Sequence, residues 1–192
     1  WHDGNIAISG RVAQFCKEIE EWQEEKVHTV LYGCEDQKVD KKNAEEKIRK
    51  ELNIPADSIL IGTVARLIPL KGHIYAIKAL EILRKKFDNV YWLFIGDGPQ
   101  RDELEKVAKQ AGIEDRLIFM GHRTDIPELM ASLDIMVHPT TGEGFGLIFL
   151  EAMIQSVPVV ATRTGAIPEI IEDGGTGIIV ESKNGQAMAE AV

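Results

Sequence analysis

Short apolar runs alternate with helix-like segments along most of this chain, and no other feature constrains its fold as strongly. Strands are predicted at residues 27–32, 59–67, 90–95, 117–120, 134–138, 158–161 and 177–180. Helix-length segments separate most of them, which is the pattern of right-handed strand–helix–strand units. The alternation therefore predicts an α/β fold with a doubly wound parallel sheet of about six strands and helices on both faces.

The first residues precede this pattern. Ser9 is predicted to cap a helix that continues to about Lys26, because apolar residues recur on one side of it. The polar stretch 33–42 is the most linker-like region. The chain begins with Trp1 and ends inside the helix-like run 186–192. We therefore expect a piece of a longer protein, with a connecting helix before the main domain.

Composition excludes several functions. The net charge of −9, from 22 basic and 31 acidic residues, does not suit non-specific nucleic-acid binding. Cys16 and Cys34 form no C-x-x-C pair, which indicates two buried thiols in a reduced, cytoplasmic compartment. No D-x-D or H-x-x-H motif occurs, so no metal is expected. No apolar run reaches the length of a membrane span.

The segment 142–153 sets Glu143 and Glu151 eight positions apart, across a glycine-spaced turn and an apolar run. Glycines let backbone N–H groups approach a ligand, and a helix N-terminus attracts phosphate. Carboxylates beside such a turn suit a ligand with hydroxyl and phosphate groups, such as a nucleotide sugar. The alternatives are two solvated acids, one of them favoured by the helix dipole, or a glycosidase pair. The glycosidase is less favoured, because its two carboxylates would have to flank one bond.

Two cations, Arg66 and Lys71, are predicted at a strand end and at the start of the next helix. A cation at a helix N-terminus opposes the dipole, and a bound diphosphate would resolve that conflict. The alternative is a pair of surface cations. Arg66 and the segments 96–98 and 138–143 all follow predicted strands, and ligands bind beyond the carboxyl ends of parallel strands.

The segment 96–101 begins like a dinucleotide-binding fingerprint, but Arg101 replaces its third glycine. It is predicted to be a tight strand-to-helix turn. No Walker-type phosphate loop occurs, which disfavours a nucleoside triphosphatase. The histidines are scattered, and each is expected to be a hydrogen-bonded structural residue, with His138 near the cleft.

From about Val27 onward the chain resembles the C-terminal domain of the retaining GT-B glycosyltransferases of group one. The resemblance depends on the joint order and spacing of segments at 64–72, 94–99, 119–121, 138–140, 143–153, 158–162 and 168–171. It implies that residues 27–192 form a Rossmann-like nucleotide-sugar-binding domain, truncated before its final helices. Residues 1–26 would be the remnant of an N-terminal domain.

The resemblance also implies residue roles. Arg66 and Lys71 would grip the donor diphosphate and act with Glu143 in catalysis, Glu143 would bind the donor sugar, and Glu151 the ribose. Further donor contacts are implied at Gly98, Gly121, His122, Arg123, Thr141, Gly144, Phe145, Gly146 and Leu147. No cofactor and no metal are implied. The acceptor, a sugar, lipid-linked glycan or small molecule, would bind the missing N-terminal domain, which would also make any peripheral membrane contact.

Some positions depart from the family's pattern. They include 32–35 after the first strand, Ser156 in place of a frequent glycine, and Ala166 in place of the second residue of a glycine pair. Three alternatives stay open: a GT-B-fold epimerase or phosphorylase, a non-catalytic nucleotide-sugar-binding module, and a nicotinamide dehydrogenase, which the broken fingerprint disfavours. The fragment alone is expected to bind a nucleotide without transferring sugar.

Overall fold

The computed structural model describes residues 4–192, so the first three residues of the predicted N-terminal remnant lie outside the described part. The strands are β1 (Asn5–Ala7), β2 (Val27–Thr29), β3 (Ile59–Val64), β4 (Val90–Ile95), β5 (Leu117–Gly121), β6 (Ile135–His138), β7 (Val159–Thr162) and β8 (Ile178–Val180). The helices are α1 (Gly10–Glu18), α2 (Lys41–Glu51), α3 (His73–Arg84), α4 (Arg101–Gln110), α5 (Ile126–Ala131), α6 (Leu147–Ile154), α7 (Ile167–Ile170) and α8 (Gly185–Ala191).

A six-stranded sheet in the order β5-β4-β3-β6-β7-β8 forms the centre of the fold. Its neighbouring strands all run parallel. The order changes direction between β3 and β6, which pair through Ile61 with Ile135 and Gly62 with Met136. This is the Rossmann-like, doubly wound order, and ligands bind at its switch point. The predicted fold class is confirmed.

Alternate side chains of each strand enter two hydrophobic cores, one on each face of the sheet. On one face, Ile61, Trp92 and Val137 are buried with residues of α3, α4 and α8. On the other face, Leu60 and Leu93 are buried with residues of α2, α5 and α6. Because both faces are covered, the strands need apolar residues at successive positions, and this explains the runs in the sequence.

The structure corrects two predicted helices. Ser9 caps α1 as predicted, with its Oγ accepting from the Val12 N–H at 3.0 Å, but α1 ends at Glu18 and does not continue to Lys26. The helix that was predicted to begin at Lys71 begins at His73. Gly72 adopts a left-handed φ of +68° and separates α3 from a 3-10 turn over Pro69–Lys71.

The segment before the main sheet forms a small unit of its own. β1 pairs in parallel with β2, and α1 lies beside both strands. Many of the largest exposed apolar side chains belong to this segment, including Ile6 at 68% exposure and Ile19 at 64%. No helix among residues 4–192 is long and apolar enough to cross a membrane.

Candidate functional site

Part of the predicted site lies at the carboxyl ends of β3 and β6, the two strands of the switch point. The turn that carries Lys71 follows β3, and the loop that carries Glu143 follows β6 and leads into α6. Both side chains line a cavity of about 320 Å³, together with His138 and residues 144–147. The structure therefore brings the lysine, the first glutamate and the glycine-spaced turn together around one cavity.

Glu143 accepts two hydrogen bonds in this cavity, both on the same oxygen. Lys71 Nζ lies 2.7 Å and His138 Nε2 lies 3.1 Å from Glu143 Oε2. All three side chains are largely buried, with exposures of 21% for Lys71, 13% for Glu143 and 2% for His138. Within residues 4–192 the second carboxylate oxygen, Oε1, has no hydrogen-bond partner, so it is available to a ligand.

The charge state of Glu143 follows from these contacts. Burial raises the pKa of Glu143, but the hydrogen bonds from His138 and Lys71 outweigh burial and hold the pKa at about 2. Burial lowers the pKa of His138, so its neutral ring donates to the carboxylate from Nε2. An ionised carboxylate accepts hydrogen bonds and does not donate a proton at neutral pH. Glu143 therefore suits binding of hydroxyl groups better than acid catalysis.

The turn that carries Lys71 lies directly against the loop after β6. A Cβ at Gly72 would lie 2.1 Å from the Pro139 carbonyl oxygen, so only glycine fits this contact. The Leu70 carbonyl accepts from the Thr141 backbone N–H at 2.7 Å and from its hydroxyl at 3.0 Å. Thr141 was predicted to contact the sugar-nucleotide donor. In the structure its N–H and its hydroxyl both hold the turn that carries Lys71.

The turn after β7 contacts the backbone of Glu143 through Gly165, which was not among the predicted site residues. Gly165 has a φ of +54°, and a Cβ there would lie 1.8 Å from the Glu143 carbonyl oxygen. The Ala166 N–H donates to the same oxygen at 3.0 Å. In the sequence this pair appears only as a departure from two family glycines. In the structure, position 165 requires glycine while position 166 accommodates a methyl group.

The turn from Gly144 to Gly146 carries unpaired backbone donors. Among residues 4–192, no hydrogen-bond acceptor is found for the N–H groups of Gly144, Phe145 and Gly146. Helix α6 follows directly, with Gly146 at its N-cap in a left-handed conformation, φ +96°. The first turn of a helix adds further unpaired N–H groups and the positive end of its dipole. Together these groups can bind an anion.

Glu151 lies farther along α6 and borders a second cavity, of about 380 Å³. Its carboxylate has no hydrogen-bond partner among the described residues, and burial raises its pKa. The cavity is also lined by Thr124 and Ile126 after β5 and by Cys34 of the linker. A half-buried carboxylate without a protein partner is costly, and a ligand hydroxyl would satisfy it.

Arg66 and Gly98 lie at strand ends but outside the cluster around Glu143. Arg66 is exposed, and no ion pair of its guanidinium is found among residues 4–192. Gly98 lies against the segment after β3, where a Cβ would be 2.5 Å from the Leu67 carbonyl oxygen. The packing of this turn therefore explains the glycine at 98 without a ligand.

The predicted site residues after β5 serve different purposes. Gly121 ends the strand with a φ of +66°, and His122 is exposed. Arg123 Nη2 lies 2.7 Å from Asp125 Oδ2, and the same guanidinium also pairs with Glu51. The hydrogen bonds from Arg123 hold the pKa of Asp125 at about 2. The arginine side chain therefore ties α2 to the loop after β5.

His73, the first residue of α3, differs from the expectation of a hydrogen-bonded histidine. Its ring is fully buried and meets Phe94 edge-on at 4.8 Å between centroids. Neither ring nitrogen has a hydrogen-bond partner among residues 4–192. Burial lowers the pKa of His73 to about 4, so the ring is neutral at pH 7 and packs as an aromatic side chain.

Comparison with curated proteins finds relatives that include a synthase and a mannosyltransferase. N-acetyl-alpha-D-glucosaminyl L-malate synthase of Bacillus anthracis is 31% identical over 160 residues, which cover 83% of this chain and 42% of that protein. The GDP-mannose-dependent alpha-(1-6)-phosphatidylinositol monomannoside mannosyltransferase of Mycobacterium tuberculosis is 30% identical over 158 residues, covering 78% and 41%. The chain thus spans about two fifths of the length of these relatives.

Solved structures share the fold. Anabaena Alr3699/HepE, in complex with UDP and glucose, superposes with a TM-score of 0.90 at 28% identity, covering 98% of this chain and 52% of that one. The C-terminal domain of the group 1 family protein LpcC of Francisella tularensis gives a TM-score of 0.71 at 34% identity, covering 82% and 85%. This chain therefore corresponds to one of the two halves of a GT-B glycosyltransferase.

The family model described as "Glycosyl transferases group 1" matches residues 44–192. The match includes the Lys71 turn, the loop with Glu143 and the whole of α6, which are the elements that build the site. The chain belongs to the group 1 glycosyltransferases.

Proposed function

We propose that this chain is the donor-binding domain of a retaining glycosyltransferase that uses a nucleoside-diphosphate sugar and no metal. The observation that carries the proposal is the contact between Lys71 and Glu143 at 2.7 Å, beside the unpaired N–H groups of residues 144–146. One cavity thus offers a cation, an ionised carboxylate and backbone donors. Phosphate and sugar hydroxyls are the groups that need this combination.

Each element has a role in the proposal. Lys71, Arg66 and the N-terminus of α6 bind the diphosphate, and the N–H groups of residues 144–147 add donors. Glu143 accepts from hydroxyls of the transferred sugar. Glu151 accepts from the ribose, with the base in the cavity that extends towards Thr124.

The same groups would promote the reaction. When the glycosidic bond to the donor breaks, negative charge increases on the leaving diphosphate. Positive groups that are already in place stabilise this charge more strongly than they stabilise the ground state, which lowers the barrier. Lys71, Arg66 and the helix N-terminus thus take the part that a divalent cation plays in other transferases.

The known relatives support a nucleotide-sugar donor and leave its base open. HepE has been solved with UDP-glucose, whereas the mycobacterial relative is named for GDP-mannose. The acceptor, a sugar, lipid-linked glycan or small molecule, binds an N-terminal domain outside this chain. Retention of the anomeric configuration is proposed from the family resemblance. The thiols of Cys16 and Cys34 are free, in keeping with a cytoplasmic location. Only Cys16 is buried as predicted, whereas Cys34 is exposed.

Titration calorimetry with UDP, GDP and ADP tests the proposal. We expect the wild-type chain to bind at least one of them, with the same affinity in EDTA. Lys71→Ala should weaken binding by about tenfold or more, since it removes one charge-assisted hydrogen bond to phosphate. Lys86→Ala, which removes an exposed lysine beyond α3, is the matched control. The site assignment fails if no nucleotide binds or if both variants bind like the wild type.

A further inference from the structure

Ser9, in the segment before the main domain, is hydrogen-bonded to the site loop. Its Oγ donates to the Gly144 carbonyl oxygen at 2.7 Å and accepts from the Val12 N–H at 3.0 Å. The side chain is fully buried. One hydroxyl therefore caps α1 and also holds the residue that directly follows Glu143 in the chain.

The first turn of α1 is fixed to the main domain by a carboxylate. Glu169 of α7 accepts from the Gly10 N–H at 2.8 Å and from the Arg11 N–H at 2.7 Å. These bonds satisfy two of the unpaired donors at the start of the helix, and the negative charge is favoured by the helix dipole. Because Ser9 immediately precedes Gly10, Glu169 also fixes the position of the serine.

The carbonyl groups of two successive residues in the loop are thus held by neighbouring elements. The Glu143 carbonyl accepts from the Ala166 N–H at 3.0 Å, and the Gly144 carbonyl accepts from Ser9. In a trans peptide unit the C=O and the following N–H point in opposite directions. Holding the two carbonyls therefore sets the directions of the N–H groups of Gly144 and Phe145, away from Ala166 and Ser9.

The hydrogen bond to the Gly144 carbonyl is needed because glycine does not itself restrict the orientation of this peptide unit. Gly144 has no Cβ to restrict its backbone, and a Cβ there would make only ordinary contacts, 3.7 Å from Ile8 and 3.8 Å from Val12. Rotation of the peptide unit after Gly144 would turn the Phe145 N–H away from the ligand and put a carbonyl oxygen in its place. The hydrogen bond from Ser9 opposes that rotation.

We propose that Ser9, anchored by Glu169, is a positioning residue for the donor site: it orients the peptide unit between Gly144 and Phe145 so that its N–H can bind the donor's diphosphate. The inference rests on the proposed function, since it assumes that this N–H meets an anion. It also gives the connecting segment a task in donor binding. Movement of α1 away from α7 would release the peptide unit and weaken the site.

Calorimetry on this chain with UDP, GDP and ADP measures the effect. Ser9→Gly removes the hydroxyl but keeps a residue that is tolerated at an N-cap, and Ser9→Ala is the second variant. We expect each to bind the nucleoside diphosphate about tenfold more weakly, as for one weakened hydrogen bond to a charged group. Binding of the corresponding nucleoside, which lacks phosphate, should be unchanged. Ser9→Thr keeps the hydroxyl and should restore affinity.

The control is Asn184→Ala, which removes the N-cap of α8, where the side chain accepts from the Ala187 N–H at 3.0 Å. It loses a cap of the same kind far along the chain and should bind like the wild type. If the wild type binds a nucleotide and both folded Ser9 variants bind it equally well, Ser9 is only a cap and the inference is wrong. If the wild type binds none of the three, the proposed function itself fails. NMR adds a direct readout, because the Phe145 amide signal should shift in Ser9→Gly and not in Asn184→Ala.

Discussion

Lys71 Nζ lies 2.7 Å from Glu143 Oε2, although the two residues are 72 positions apart in the chain. The lysine follows β3 and the glutamate follows β6. The pair therefore connects the segments that follow the two neighbouring strands of the switch point, at the carboxyl edge of the sheet. Each side chain neutralises the other in a largely buried place. A bound diphosphate would compete with the glutamate for the lysine, and the released carboxylate oxygen could then accept from a sugar hydroxyl.

Glu143 should make the stability of the fold depend on acid pH. Its pKa is about 2 in the folded chain, against an ordinary value of 4.5. A depressed carboxyl pKa contributes stability that is complete above pH 4.5 and is lost as the pH falls towards 2. We expect the free energy of unfolding of Glu143→Gln, measured with urea, to fall less steeply than that of the wild type between pH 4.5 and 2.5.

Other carboxyl groups titrate in the same range, so a control is needed. Glu46→Gln changes an exposed residue of α2 outside the site. Its pH profile should run parallel to that of the wild type. Equal slopes for wild type and Glu143→Gln would show that the ion pair with Lys71 does not hold the carboxylate ionised in solution.

Glu151→Gln should separate stability from binding. Burial raises the pKa of Glu151, so the ionised form is disfavoured in the folded chain and costs stability at neutral pH. Removing the charge should increase the free energy of unfolding by about 0.5 kcal/mol, a small gain because water still screens the half-buried group. Nucleotide affinity should fall by about tenfold, since a charge-assisted hydrogen bond to the ribose is lost.

Thermal denaturation and calorimetry on the same samples test this prediction. A variant that melts lower and binds equally well would instead make Glu151 a structural residue. Glu46→Gln again serves as the control, because it removes a carboxylate from an exposed helix face without bordering a cavity of the site.

The strands of the six-stranded sheet were predictable because burial on both faces leaves a continuous apolar signature. The predicted strand 27–32 is different, because it shortens to Val27–Thr29, is largely exposed and pairs with β1 outside that sheet. The length of α1 was not predictable. Ile19 and Trp22 continue the helical spacing of apolar residues, but the helix ends before them and Ile19 is 64% exposed. Periodicity records which face is apolar, and cannot show whether the partner that would bury that face belongs to the same chain.

The positions of several site residues were predictable from the sequence, but the contacts between their side chains were not. Strand-end positions located Lys71 and Glu143, but no local pattern indicates that one neutralises the other, since their contact is made only by the sheet. The anionic partner predicted for Lys71 was a diphosphate at a helix start. In the structure Glu143 pairs with Lys71, and Gly72 separates the lysine from the helix. Gly165 was missed because its requirement for glycine comes from a carbonyl oxygen across the loop.

Arg123→Ala should affect stability and not binding. The guanidinium bonds to Asp125 and Glu51, so its loss frees α2 from the loop after β5. We expect the free energy of unfolding to decrease by about 1 kcal/mol, the upper range for a partly exposed ion-pair network, with nucleotide affinity within about twofold of the wild type. Arg84→Ala, which breaks the exposed pair with Asp115, is the matched control. Loss of affinity without loss of stability would mean that Arg123 itself contacts the donor.

Gly165→Ala should disable the site through the backbone of Glu143. The added Cβ would lie 1.8 Å from the Glu143 carbonyl oxygen, so this peptide unit has to move and its bond from Ala166 is lost. A residue other than glycine at φ +54° also costs about 1 kcal/mol.

Gly174→Ala separates the steric clash from the backbone strain, because Gly174 has a φ of +77° and no heavy atom within 4 Å of its Cβ position. Gly174→Ala should lose about 1 kcal/mol of stability to backbone strain, and Gly165→Ala should lose more because of the clash and the lost hydrogen bond. Only Gly165→Ala should lower nucleotide affinity, by about tenfold or more. Equal affinities for the two folded variants, measured by calorimetry, would show that the position of the Glu143 backbone does not control binding.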